Sequence, residues 1–247
     1  MTEVIVGRNA VLEALRADHP IERISLEEGV KVDVRLDEIV RLARMKDISI
    51  EYVSRHTLDA GGRYGAHQGI VAFTSSRPSL TVTDLLAVST RENEPAFYVI
   101  LDGVEDPHNL GAVIRTAEAT GAHGVITRSK RAVGLTPAAV KAAAGAAEYV
   151  PLVQVPNISQ TVELLKKKGV WIVGIDIAGK DDYTDIDYTL PTAIVIGAEG
   201  AGISSLVRSK CDFLASIPMR GKITSLNTSV AAAVVLYEAF KQRTSKH

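Results

Sequence analysis

The chain has a single cysteine, Cys211, so it can form neither an internal disulfide nor a cysteine-rich metal site. Its six histidines (His19, His56, His67, His108, His123, His247) never take the H-x-x-x-H or H-E-x-x-H spacing of a helical metal pair. Long apolar runs are missing as well. The longest, Val230 to Leu236, falls far short of the ~20 residues that a membrane span needs. The opening Met1-Thr2-Glu3-Val4 has no basic start followed by an apolar stretch, so no secretory signal is expected. An excess of charge of one sign is also lacking. The 28 Lys plus Arg stand against 29 Asp plus Glu. Residues 1–76 hold 10 basic and 12 acidic side chains, and residues 77–247 hold 18 and 17. A nucleic-acid partner would therefore be met by local patches and not by a global field. Internal repeats and low-complexity tracts are absent. With 46% apolar and 23% charged residues, the 247-residue chain is expected to be a cytoplasmic globular protein with no metal and no membrane partner.

The first 75 residues predict a small α/β unit. Val4–Val6, Ile24–Leu26 and the alternating Ile48–Val53 are strand candidates, and Asn9 is placed to cap a first helix. Val34 through Met45 predicts a second helix, and a glycine-rich loop over 61–69 leads into Ile70–Phe73. The stretch 76–93, opening with Ser76-Arg77-Pro78-Ser79, is expected to be a linker. From 94 to 247 the rhythm becomes strand, helix, strand, helix. Strands are expected at Phe97–Leu101, Gly124–Thr127, Val150–Val155, Val170–Ile175, Thr192–Ile196 and Phe213–Ile217. Helices are expected at Asn109–Thr120, Pro137–Ala147, Ser159–Lys168, Ser204–Lys210 and Asn227–Gln242. That alternation predicts an α/β fold with a parallel sheet covered on both faces. The last helix is apolar nearly all round, so it needs burial on several sides, and a subunit interface would supply it.

In open parallel sheets, ligands gather beyond the carboxyl ends of the strands. Three loops at such positions are rich in glycine and polar residues: 101–117, 196–202 and 217–230. Gly197, Gly200 and Gly202 form G-x-x-G-x-G, not the dinucleotide order G-x-G-x-x-G, and they lie late in the chain. No phosphate-binding G-x-x-x-x-G-K-[ST] occurs, and no G-x-S-x-G nucleophile elbow, so Ser225 is expected to hydrogen-bond and not to attack an acyl group.

Together these loops resemble the three motifs of the SpoU (TrmH-like) family of RNA ribose 2′-O-methyltransferases, in the SPOUT class. The matching residues are Asp106-Pro107-x-Asn109-x-Gly111-x-x-x-Arg115-Thr116-Ala117, then Ile196-Gly197-x-Glu199-Gly200-x-Gly202, then Ile217-Pro218-Met219-x-Gly221-x-x-x-Ser225-Leu226-Asn227-x-Ser229-x-Ala231. Val6-Gly7-Arg8-Asn9-Ala10-Val11 and His67-Gln68-Gly69-Ile70 resemble the small L30e-like substrate-binding domain of the large-subunit rRNA guanosine 2′-O-methyltransferase (RlmB) subgroup. The resemblance implies methyl transfer from S-adenosyl-L-methionine to a ribose 2′-hydroxyl, in rRNA or in tRNA. It also implies a C-terminal segment threaded into a deep trefoil knot, against the ordinary rule that chains do not thread loops. Finally, it implies a homodimer in which two chains complete each site.

Carried over, the catalytic residues are Arg115, Asn109, Glu199, Ser225 and Asn227, and the donor is held by main-chain groups around Gly197, Ile217 and Leu226. Plainer roles stand beside these. Asn109 sits where a helix would start and could cap it, Glu199 could be a solvated loop carboxylate, and Ser225 and Asn227 could cap the last helix. Arg8, Arg63, Tyr64 and His67 in the first unit, and Arg128 and Arg131 after a strand of the second, are candidate RNA contacts. Lys166-Lys167-Lys168 ends a helix, where cations favour the dipole. An RNA-binding protein that keeps this scaffold without catalysis is the competing reading.

Overall fold

The computed structural model describes residues 2–60, 67–75, 80–92, 94–130 and 132–245. The candidate contacts Arg63, Tyr64 and Arg131 lie outside them. The first unit comprises β1 (Thr2–Val6), α1 (Arg8–Arg16), β2 (Ile21–Glu27), α2 (Val34–Met45), β3 (Ser49–Val53), α3 (Arg55–Ala60) and β4 (Ile70–Ser75). Its four strands lie in the order β1-β4-β2-β3, with β4 antiparallel to both neighbours and β3 parallel to β2. The buried Val11, Leu15, Ile24, Leu26, Ile39 and Ile70 close its core.

Here the Gly7-Arg8 and His67-Gln68-Gly69 motifs meet. Gly7 takes φ +95° and its amide donates to the Ile70 carbonyl. The Arg8 guanidinium pairs with Asp33 at 2.7 Å and donates to the Lys31 and Gln68 carbonyls at 2.8 and 3.2 Å. Asp33 also accepts the Leu36 amide as the cap of α2, and that bond, followed by Arg8, holds its carboxyl below the usual range. His67 is buried, 4% exposed, with Nδ1 accepting from the Gly69 amide and Nε2 facing Asp59 at 3.0 Å. Arg8 and His67 were expected to face RNA. In the structure their polar atoms are engaged inside the unit, where they brace two loops.

The second unit comprises α4 (Val82–Glu92), β5 (Phe97–Asp102), α5 (Pro107–Ala119), β6 (Gly124–Arg128), α6 (Pro137–Ala143), a short helical turn (Ala146–Glu148), β7 (Leu152–Val155) and α7 (Ile158–Lys167). It continues with β8 (Trp171–Ile175), β9 (Asp181–Asp182), β10 (Thr192–Gly197), α8 (Ser205–Arg208), β11 (Phe213–Ser216) and α9 (Thr228–Thr244). The strand order is β7-β6-β5-β10-β8-β11-β9, every pair parallel. β5 and β10 are buried along their whole length, so they read as continuous apolar runs. One face is covered by α5, α6 and α9 through Leu110, Val113, Ala139 and Leu236, the other by α4, α7 and α8 through Leu85, Val162 and Val207.

The expected linker is shorter than 76–93. Within it α4 places Val82 and Leu85 in the second core, and Tyr98 of β5 donates to the Leu85 carbonyl. Apolar Val82, Leu85 and Leu86 recur at helical spacing among Ser, Thr and Asp, and that polar background hides the helix in the sequence. α6 likewise ends earlier than expected, where Ala144 and Gly145 turn left-handed at φ +53° and +100°. The turn brings the two units together. His19 Nδ1 lies 2.7 Å from Glu148 Oε2 with both side chains buried, and Val140 packs on the first unit's core. The Tyr149 hydroxyl donates to Glu13 at 2.6 Å; burial, then this carboxylate, pushes its pKa up to about 12.

α5 rests on α6 at Gly111, where a Cβ would lie 2.4 Å from the Ala139 carbonyl oxygen and 2.5 Å from the Ala142 methyl. Gly111→Ala is therefore expected to lower stability by ~1–3 kcal/mol, read from the midpoint of urea unfolding. An unchanged midpoint would show that the two helices can part freely.

Candidate active site

The carboxyl ends of β5, β10, β8 and β11 open onto two clefts that share a wall. The wall is the turn Ala198–Gly202 at the end of β10. It is closed by the Ala198 amide donating to the Gly202 carbonyl at 3.1 Å and the Gly202 amide returning to Ala198 at 2.9 Å. Gly200 and Gly202 supply the left-handed backbone it requires, at φ +77° and +65°. Gly197 permits the close return: a Cβ there would sit 2.1 Å from the Gly202 carbonyl carbon.

The first cleft, about 400 Å³, lies over β10, β8 and β11. Ile196, Ile217, Leu226 and Ala231 give it apolar walls, the 197–202 turn lines it with main chain, and Asp176, Glu199, Arg208, Thr224, Ser225 and Thr228 are its polar side chains. The second cleft, about 450 Å³, lies over β5 and contains Asp102, Glu105, Asp106, Asn109, Arg128 and Ser204. Ala198, Glu199, Ala201, Gly202 and Thr228 line both. Glu199 thus stands between them.

The candidate residues divide. Gly197, Ile217, Leu226 and Ser225 gather in the first cleft and Asn109 and Arg128 in the second, with Glu199 in both. Asn109 does not cap α5. Asp106 does, accepting the His108 and Asn109 amides, which leaves the Asn109 side chain, 7% exposed, in the cleft. Asn227 does cap α9: its Oδ1 takes the Ser229 and Val230 amides and the Ser229 hydroxyl, and it lines neither cleft. Arg115 is exposed on α5 and also lines neither. It lies six positions after Asn109, so it leaves the helix about 120° away and ~9 Å along the axis.

Arg128 is held by an ion pair from its Nη2 to Asp102 Oδ1 at 3.2 Å, and the other oxygen of this buried carboxylate accepts the Ser204 amide at 2.9 Å. Asp102, Asp176 and Arg208 were not singled out from the sequence. The available signal was an aspartate ending an apolar strand run, Phe97–Asp102 and Ile172–Asp176. α9 leaves the site through Thr228, whose hydroxyl donates to the Gly197 carbonyl at 3.4 Å. It ends at the opposite edge, where Arg243 donates to the Pro95, Ala96 and Leu190 carbonyls and lies over the Phe97 ring. Burial there lowers the Arg243 pKa to about 10. Among the described residues no group of three His, Cys, Asp or Glu is placed to hold a metal ion, and no helix is long and apolar enough to cross a membrane.

Comparison with known proteins agrees with this geometry. Residues 96–237 match the model of the SpoU rRNA Methylase family, and residues 4–79 match that of the RNA 2′-O ribose methyltransferase substrate binding domain. YacO of Bacillus subtilis, assigned to the TrmH family of tRNA/rRNA methyltransferases, is 42% identical over 241 residues, covering 98% of this chain and 96% of YacO. A Staphylococcus aureus protein with the same assignment is 41% identical over 240 residues, 97% of this chain and 96% of its own. Among solved structures, the SpoU methyltransferase AviRb of Streptomyces viridochromogenes in complex with AdoMet superposes with TM-score 0.82 at 28% identity, over 99% of this chain and 91% of that one. An AdoMet-bound rRNA methyltransferase of Sinorhizobium meliloti gives 0.76 at 27%, over 96% and 86%. A parallel sheet with two clefts at its carboxyl edge, a separate substrate-binding unit and family matches over both parts lead to one conclusion: the chain is an RNA methyltransferase of the SpoU (TrmH-like) family.

Proposed function

We propose that the chain transfers a methyl group from S-adenosyl-L-methionine to a ribose 2′-hydroxyl, on a guanosine of large-subunit ribosomal RNA, in the cytoplasm. The observation that carries this reading is the shared wall: a main-chain-lined cleft with Ile196, Ile217 and Leu226 on one side of Ala198–Gly202, and a cleft with Asn109 and Arg128 on the other. The first cleft fits the donor, since its volume lies in the range of small-molecule pockets and the Ile196, Ile217 and Leu226 side chains suit a purine. Main-chain groups around Gly197, Ile217 and Leu226 would hold the base. When bound, the donor supplies a methyl on a sulfonium whose charge is lost on transfer, so the protein's task is alignment and exclusion of water.

The 2′-hydroxyl enters from the second cleft. Asn109 and Glu199 orient it by hydrogen bonding, and Arg128, tethered by Asp102, offers its guanidinium to a flanking phosphate. A ribose hydroxyl is a weak acid, so its proton must leave as the methyl arrives. Arg115 is no base for it, because a guanidinium offers donors and no acceptor. Its role is to stabilise the developing alkoxide or the adjacent phosphate, with the proton passing to water or phosphate.

Arg115 lies outside both clefts of its own chain, and Val230, Tyr237 and Phe240 of α9 are exposed, about half in the first two. These observations support a homodimer in which Arg115 serves the partner's site. The placement of β10 between β5 and β8, with α9 laid back across the sheet, supports the knotted path. The descriptions of the relatives name tRNA beside rRNA, which makes a tRNA guanosine the second reading.

Titration calorimetry should show one donor per chain, and labelled donor should place methyl on ribose in large-subunit rRNA. Heat without transfer to any RNA would leave only a silent binder. Mapping 2′-O-methyl groups in a deletion strain separates the two RNA targets. Arg115→Ala and Glu199→Gln should each abolish turnover. Mixed as heterodimers, they should recover about a quarter of wild-type activity, because half the dimers would hold one intact site of two. No recovery would place Arg115 at its own chain's site.

A further inference from the structure

The first cleft has a polar corner that the reading above does not use. Asp176 follows the last residue of β8, with its side chain 4% exposed, and Arg208 reaches it from the end of α8. Arg208 Nη2 lies 2.6 Å from Asp176 Oδ2, and Oδ1 accepts the Ala178 amide at 3.0 Å. The Asp176 main chain is fixed too, its amide donating to the Ala215 carbonyl and its carbonyl accepting from Gly179. Both side chains line the first cleft, and neither lines the second. Arg208 Nε is buried without a hydrogen-bond partner, so the guanidinium is placed for the carboxylate and not for a full set of bonds of its own.

We propose that Asp176 binds the vicinal hydroxyls of the donor's own ribose, and that Arg208 is the positioning residue that aims its carboxylate. A carboxylate oxygen accepts two hydrogen bonds. Each Asp176 oxygen has one partner within the protein, so one acceptor position remains on each, a spacing that suits a pair of adjacent hydroxyls. Arg208 cancels the charge of Asp176, which makes the corner a poor seat for the donor's ammonium and a good one for neutral donors. The corner also stands outside the second cleft, which holds Asn109. A ribose fixed there would leave the sulfonium free to face the Glu199 turn. Burying a carboxylate for this purpose is costly unless it is paired, and the Arg208 contact and the Ala178 amide meet that cost.

The inference rests on the first cleft being the donor site, and the test separates the two. Isothermal titration of the full-length wild-type protein would compare S-adenosyl-L-homocysteine with its 2′-deoxy and 3′-deoxy analogues, and the same set would be run on Asp176→Asn. Wild type should lose about 10- to 100-fold in affinity for a deoxy analogue, the loss expected of a hydrogen bond to a charged group. Asp176→Asn should lose a similar factor for the parent ligand and little more for the analogues. Equal affinity of wild type for all three ligands would overturn the proposal even if the variant fails to fold. So would an equal loss of all three in Asp176→Asn, which would mark Asp176 as purely structural. No binding of any ligand by wild type would overturn the donor-site reading itself, and this proposal with it.

Discussion

The site depends on a position with no side chain. Gly197 ends β10, the strand inserted between β5 and β8, and the backbone of Gly202 and Ile203 folds against it closer than any Cβ would allow. Main chain against main chain makes the Ala198–Gly202 bridge possible, and the bridge is what both clefts share. Ligands in open parallel sheets collect where strand order breaks sequence order, and β10 is such a break. A side chain at 197 would push the turn away and break the wall that the two clefts share.

Around that contact the fold repeats one device. β5 ends in Asp102 and β8 is followed by Asp176, both buried, and each holds an arginine from a later element, Arg128 or Arg208. A lone buried carboxylate would be unstable, but each of these also accepts a backbone amide, from Ser204 or Ala178. The arginines are thereby fixed at two different clefts, Arg128 at the second and Arg208 at the first. The strands supply rigidity and the arginines supply charge at a known place.

Much of this was legible in the sequence, and the misses have physical reasons. The parallel strands announced themselves as apolar runs because β5 and β10 are buried on both faces. The three motif loops were legible because turns that approach a ligand need glycine and small polar residues at set spacing. α4 stayed hidden because its apolar residues, Val82 and Leu85 to Val88, form no single stripe and stand among Ser, Thr and Asp. Arg8 and His67 looked like surface residues for RNA because a sequence displays their charge and ring but not the carbonyls and amides that occupy them. Whether Asn109 caps α5 or faces the site stayed open in the sequence, since Asp106 three residues earlier competes for the cap and only coordinates show which one reaches the amides. Arg115 shows a different limit: its motif is legible, yet the residue stands outside both of the clefts described in its own chain.

The joint between the two units bears on how a target is chosen. His19 against Glu148, Tyr149 against Glu13 and Val140 in the first core fasten it at three points. Fastened so, the span from the capturing module to the chemistry is a built-in length. An RNA held by the first unit would meet the clefts of the second across that fixed span, so distance as well as base identity would bear on which nucleotide arrives.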